Sequence, residues 1–407
     1  MRSRFAIVLV VGAFALGAFI VATVVGGGGH DHGAIAGEST LEHATQTSQL
    51  SRAARISVDP LKSGEQWVSL TMPGGSYTPQ GTNGGTDDYR CILFDPHFTQ
   101  DTFISSVALQ PGIAGEVHHA ILYRVDPDEV GSAEDMDATD PRLGWSCFGG
   151  PGVKSKGGDD QLGGLAAAPW VAAFATTGGE QHFAPGTGEL MKAGSELILQ
   201  IHYNMLSGTL PDDSSVLLRA EPAGTDLKPL ETYLTPAPVE VPCAPSQTGP
   251  LCDRTAALAD VMKRFGYDAG TTVAGLQLLC GGQDLANPPA SDTSTCTRYI
   301  DKPMVLQSAA GHMHMLGTSI SMQLIRSDGS TVPLFKRAVW NFDDQHADVL
   351  PQPVKVGPGD KIKITCTWDP TLRDKLPALQ GLPERYIVWG DGSADEMCLG
   401  IFTYTKS

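Results

Sequence analysis

From Trp67 onward this chain consists of short apolar runs set between Gly, Pro and Asp turns, which leaves little room for long helices. Apolar and polar residues alternate within the runs, the period-two pattern of half-buried strands. Expected strands include Cys91–Phe94, Phe103–Leu109, Val117–Val125, Glu196–Met205 and Val216–Ala220, then Val305–Ala309, Ser319–Ile325, Lys361–Trp368 and Glu396–Thr405. With 47 glycines and 28 prolines besides, an all-β fold is expected. One helix stands out: over Thr255–Phe265 the side chains of Leu258, Val261, Met262 and Phe265 share a face, and Gly266 occupies the C-cap position. The Gly- and Ala-rich stretch 148–188 reads as a long loop region with a turn at Ala184–Gly188.

A chain of 407 residues can hold two domains, each with its own core. The Pro-, Thr- and Glu-rich stretch Pro222–Val241 marks the handover, so the expected divisions are 61–225 and 226–407. Ahead of them, 30–60 is polar and aperiodic and reads as a linker, and His30-Asp31-His32 within it reads as solvated tether before metal site. Residues 1–29 read as a signal peptide or membrane anchor. Arg2 and Arg4 precede the apolar stretch Phe5–Val25, which is longer than a secretory core of roughly 7–15 residues. An uncleaved anchor is the favoured expectation, and Ala34-Ile35-Ala36 offers a cleavage pattern in the other case. Either way the body of the chain is expected outside the cytoplasm, periplasmic or secreted. All eight cysteines lie beyond this segment, an even number that suits four disulfides in an oxidising compartment, and no C-x-x-C pair is present. The formal net charge of -17, with no basic run, argues against nucleic acid or anionic membrane surfaces as partners.

Three distant segments carry metal-ligand chemistry on expected strands: Glu116–Leu122 (EVHHAIL), Gln200–Asn204 (QIHYN) and Gly311–Gly317 (GHMHMLG). Alternation places Gln200 and His202 on one face, and His312 and His314 together on another. A regular strand would send His118 and His119 to opposite faces, so if both ligate one ion the backbone must bulge or end there. No H-E-x-x-H occurs, and H-x-H is not followed by the Asp-His of zinc hydrolases. Histidines without carboxylates, with thioethers beside them, point to copper.

In order and approximate spacing, YRC at 89–91, VHHAILY at 117–123, LQIHYN at 199–204, HMHMLG at 312–317 and DEMC at 395–398 resemble the copper type II, ascorbate-dependent monooxygenases, the group of peptidylglycine α-hydroxylating monooxygenase and dopamine β-monooxygenase. The likeness runs from about Tyr89 to Tyr404. Trp340, Phe342 and Gln345, and the Cys366-x-Trp368 strand, resemble the family's second domain. The resemblance implies two jelly-roll-like β-sandwich domains, each with one copper ion, facing each other across a solvent-filled cleft. It implies His118, His119 and His202 as ligands of an electron-supplying copper. His312, His314 and Met397 would hold the copper that activates dioxygen and would thus be the catalytic residues. Met397 comes from the resemblance alone, since Met313 and Met315 are equally placed by composition. Gln200, at a family position, would position water or the ligand histidine in a cofactor-binding role, or it is an ordinary polar strand residue. Cys91 would pair with Cys147 and Cys366 with Cys398, which leaves Cys243, Cys252, Cys280 and Cys296 open.

The implied reaction is hydroxylation of a C–H bond in a small organic or peptide substrate, with dioxygen and ascorbate or another one-electron reductant. Peptide-hydroxylating members use an arginine two residues before the first histidine of H-x-H to contact the substrate carboxylate. Ala310 stands there in this chain, and their Asn and Tyr after the methionine-cysteine pair are Leu399 and Ile401. An apolar or catechol-like substrate fits these residues better than a C-terminal glycine peptide. An extracytoplasmic copper-binding protein without turnover would carry the same ligands.

Overall fold

The computed structural model describes residues 50–81, 86–147, 150–153, 169–175, 179–205 and 207–407. Phe5–Val25, His30-Asp31-His32 and the Ala34-Ile35-Ala36 pattern lie outside them. The expected short strands form, and they build two sandwiches.

The first sandwich has a six-stranded sheet that includes Gln66–Thr71, Thr102–Gln110, Thr187–Met191 and Ser215–Ala220. Facing it is a five-stranded sheet in the order Trp145–Ser146, Asp87–Phe94, Glu196–Asn204, Val117–Val125, Trp170–Ala175. Ile92, Val107, Leu122, Leu199 and Leu218 fill the space between them. The second sandwich pairs two four-stranded sheets. One runs Glu231–Pro236, Leu399–Lys406, Met304–His312, Asp348–Val356; the other runs Thr293–Tyr299, Lys361–Trp368, Gly317–Ile325, Thr331–Arg337. Sheet membership passes from the first set to the second between Lys228–Pro229 and Glu231–Pro236.

Three expectations need correcting. The end of the segment read as linker is attached to the body, because Ser51–Arg52 pairs with Ile113–Ala114. The region read as loop contains the strands Trp170–Ala175 and Gln181–His182. The first of these completes its ladder on Val117–Val125, so a partner supplies what small side chains do not signal locally. The helical insertion is a pair, Arg254–Phe265 followed by Tyr267–Leu279. Asp253 caps the first by accepting from Ala256 N–H, and Gly266, at φ 92°, makes the turn between them. The second helix lacks a clean apolar stripe, having Gly270 and Gly275 in its span, and so is hard to see in sequence.

Four disulfides hold the described residues: Cys91–Cys147, Cys243–Cys252, Cys280–Cys296 and Cys366–Cys398. Bonds of this kind persist in oxidising environments such as those outside the cytoplasm. Cys366–Cys398 ties the two sheets of the second sandwich together directly beside Met397. Among the described residues no helix is long and apolar enough to cross a membrane.

Beneath the histidine-bearing end of the second sandwich the sheets approach closely at a cross-strand glycine pair, Gly311 with Gly400. A Cβ on Gly311 would lie 2.9 Å from both Ile320 and Phe335, and one on Gly400 would collide with Met322 and Thr235. Gly400→Ala is therefore expected to lower stability by about 1–3 kcal/mol. Gly131→Ala, on an open helix surface, should be neutral or stabilising by up to about 1 kcal/mol. Denaturant unfolding of the oxidised protein checks both, and equal midpoints would remove the packing argument.

Candidate metal centre

The first cluster arises from strand register. Glu196–Asn204 runs antiparallel to Val117–Val125 with His202 opposite His119, yet the next residue, Tyr203, sits opposite Val117. His118 is thus one residue in excess on its strand, a bulge that lets both histidines reach one point. The Nδ1 atoms of His118 and His119 are 3.0 Å apart, and each lies 3.3 Å from Nδ1 of His202. An ion about 2.0 Å from three nitrogens in near-tetrahedral directions needs separations of about 3.3 Å between them. Burial, reinforced by His202 and the other neighbouring histidines, holds the pKa of His118 and His119 well below the ordinary value, so both are neutral and able to ligate. His202 Nε2–H donates to Asp87 Oδ1 at 2.8 Å, which turns its Nδ1 lone pair toward the other two rings.

The second cluster sits where Met304–His312 ends. His312 Nδ1–H donates to Gln345 Oε1 at 2.6 Å, and His314 Nδ1–H donates to the Asp395 carbonyl at 3.2 Å. Both acceptors are carbonyl oxygens, so each ring keeps its Nε2 lone pair free. Burial lowers the pKa of His312 to about 4 and that of His314 to about 3. His312, His314 and Met397 border one cavity of about 360 Å³. Met313 is buried in the core, and neither it nor Met315 lines that cavity.

The two clusters meet. The rings of His119 and His312 have centroids 5.6 Å apart, whereas the resemblance implied a solvent-filled cleft between the centres. Contacts between the sandwiches close it at this point. Phe342 stacks on His118 at 4.2 Å; Tyr89 stacks on His202 at 4.1 Å and donates its hydroxyl hydrogen to the Asp391 carbonyl. Trp340 donates to the His314 carbonyl, and Gln345 donates to the Phe342 carbonyl while accepting from His312. The stretch 340–345 therefore touches both clusters.

Residues 280–407 match the family described as copper type II ascorbate-dependent monooxygenase, C-terminal domain. The C-terminal part of the chain belongs to that family. The match contains His312, His314, Met397 and Gln345, while His118, His119 and His202 precede it. No curated protein matches. Among solved structures, the chain is similar to a fucolectin from striped bass (Morone saxatilis) serum at 8% identity, covering 84% of this chain and 97% of that one with a TM-score of 0.19. It is similar to an allantoicase at 10% identity, covering 80% and 90% with a TM-score of 0.16. Scores this low support no argument about fold or function.

Within the monooxygenase-family domain the residue least visible in sequence is Glu396. Its fully buried carboxylate accepts from His314 N–H at 2.8 Å, Leu316 N–H at 2.6 Å and Trp368 Nε1–H at 2.9 Å. Burial pushes its pKa up to about 8, against the pull of these N–H groups. Asp395 beside it is held by Arg264 of the helical insertion at 2.6 and 2.7 Å. An acidic pair directly ahead of Met397-Cys398 was the available signal for both, as Asp87 ahead of YRC was for the first cluster. Gln200 also lines the cavity, but its amide donates to the Cys147 carbonyl at 2.6 Å and accepts from Tyr123, so its bonds stabilise the sheet edge near the disulfide. Glu396→Gln would turn an NH2 group toward N–H donors. A loss of about 1.5–3 kcal/mol is expected on copper-free protein. An unchanged unfolding midpoint would show that the carboxylate does not fasten this loop.

Proposed function

We propose that the protein is a copper-dependent monooxygenase that hydroxylates a C–H bond of a small organic or peptide substrate outside the cytoplasm. The observation that carries this reading is the pairing of two unlike ligand sets beside one cavity, one of three imidazoles and one of two imidazoles with a thioether. Both sets consist of neutral donors, which suit copper better than hard oxygen-seeking cations. Two copper ions per chain are proposed, with ascorbate or another one-electron donor as reductant. When bound, copper would supply single-electron transfer at the first cluster and dioxygen reduction at the second. The balance is R–H + O2 + 2 e⁻ + 2 H⁺ → R–OH + H2O.

The chain's own residues divide the work. His118, His119 and His202 offer three converging nitrogens, and Asp87 keeps His202 in the tautomer that ligates. His119 and His312, whose ring centroids lie 5.6 Å apart, would give electrons a short route between the clusters. His312 and His314 are oriented by Gln345 and the Asp395 carbonyl, so their Nε2 atoms are available. The Met397 thioether, on the same cavity wall, would be a weak third donor that favours the reduced ion. Apolar walls around that cavity would hold substrate and limit water.

Copper-loaded protein should take up oxygen in a reductant- and substrate-dependent way and place one labelled oxygen atom in the product. His312→Ala should abolish incorporation and lower copper from two ions per chain to one; full activity in that variant would overturn the assignment. A wild-type protein that binds two ions but consumes oxygen no faster than free copper would instead be a copper carrier. Asp87→Asn should weaken copper binding at the first cluster by roughly 10–100-fold in competition with a chromogenic Cu(I) chelator.

A further inference from the structure

The cavity beside His312 has a graded wall that says what it can hold. Met304–His312 and Leu399–Lys406 are paired so that Ser308 lies opposite Thr403, Ala310 opposite Ile401 and His312 opposite Leu399. The register shifts between Leu306 and Ser308, which leaves Gln307 unpaired and changes which residues face the cavity. Beyond it the alternation is regular. Ala309 and Phe402 turn into the core, while the three pairs named above all line the cavity.

The result is a ladder with a histidine at one end, an apolar middle and two hydroxyls at the other. Ser308 and Thr403 hydroxyls are 2.6 Å apart, so one donates to the other and one O–H remains for a ligand. Four residues separate Ser308 from His312, about 13 Å along a strand. The facing wall is the strand Trp170–Ala175 of the first sandwich, joined to this sheet by the Thr232 hydroxyl donating to the Trp170 carbonyl. No charged side chain stands on the ladder. The carboxyls on the lining are Glu180, already bound by Arg219 at 2.7 and 3.0 Å, and Asp391.

We infer that the cavity selects an uncharged, mostly apolar substrate that carries one hydrogen-bonding group, a hydroxyl or carbonyl, roughly 10 Å from the C–H presented to His312 and His314. The inference rests on the monooxygenase reading for its chemistry and on the ladder for its selectivity. An ionised end group placed against Ala310 and Ile401 would lose its hydration without gaining a partner. The hydroxyl pair can donate to a carbonyl or hydroxyl and accept from a hydroxyl, and so orients the molecule lengthwise.

The test uses copper-free full-length protein and four probes with one skeleton: 4-phenylbutan-1-ol, 4-phenylbutanoate, 4-phenylbutylammonium and butylbenzene. Calorimetry should find the alcohol bound at least about tenfold more tightly than either ion. It should also exceed butylbenzene by about fivefold, a margin that disappears in the Ser308→Ala, Thr403→Val double variant. Ala310→Arg should reverse the order in favour of the carboxylate, and near-ultraviolet circular dichroism verifies that each variant is folded. Equal or tighter binding of the carboxylate or the ammonium ion by wild-type protein would overturn the inference, as would an alcohol margin that survives in the folded double variant. Because binding is read without copper, the outcomes separate. Selective alcohol binding with no labelled oxygen incorporated by loaded protein keeps the pocket and sinks the reaction. Hydroxylation of some other compound, with the carboxylate bound best, does the reverse.

Discussion

A single buried carboxylate fastens the second cluster. Glu396 accepts N–H groups from His314, Leu316 and Trp368, so the segment that supplies two histidines and the segment that supplies Met397 are locked to one another. A carboxylate removed from water without such partners would destabilise the fold by several kcal/mol. With them, the backbone has one arrangement that satisfies both carboxyl oxygens, and that arrangement sets where His314 and Met397 stand. The Cys366–Cys398 bond on one side and the Asp395–Arg264 pair on the other reinforce it. The helical insertion thereby gains a role in the site, since Arg264 reaches in from Arg254–Phe265.

The first cluster relies on a different device. Strand geometry opposes two adjacent histidines on one face, and the bulge at His118 overrides it. Asp87 then settles the tautomer of His202, and rings from both sandwiches cover the group. Because Phe342 and Tyr89 cross from one sandwich to the other, closing the molecule and shaping the cluster are one event. The contact of His119 with His312 follows from that closure, and it brings the two histidine clusters nearer than a water-filled gap would allow.

Along the paired strands Met304–His312 and Leu399–Lys406, the polar groups that face the cavity stand at the two ends. His312 lies at one end of that ladder and the Ser308 and Thr403 hydroxyls at the other, with Ala310 and Ile401 between them. A molecule bound there would be oriented by two ends and held by area, with no charged anchor.

Much of the architecture could be read from residue order. Period-two runs marked the strands, the even cysteine number marked the disulfides, and the spacing of EVHHAIL, QIHYN and GHMHMLG marked the ligand-bearing segments. The strand within Trp170–Ala175 and the helix Tyr267–Leu279 escaped because their side chains carry little amphipathic signal and their stability comes from partners. Asp87 and Glu396 escaped for a related reason: an acidic residue declares its charge in sequence but not its partner, and Glu396 lies 82 residues from His314. Residue types and local periodicity are properties of near neighbours, so the strands, the histidine-bearing segments and the even cysteine number could be read in advance. The bulge at His118, the placing of Met397 but not Met313 on the cavity wall, the meeting of the clusters and the polar end of the cavity depend on which distant segments pack together. Those choices exist only in the folded chain.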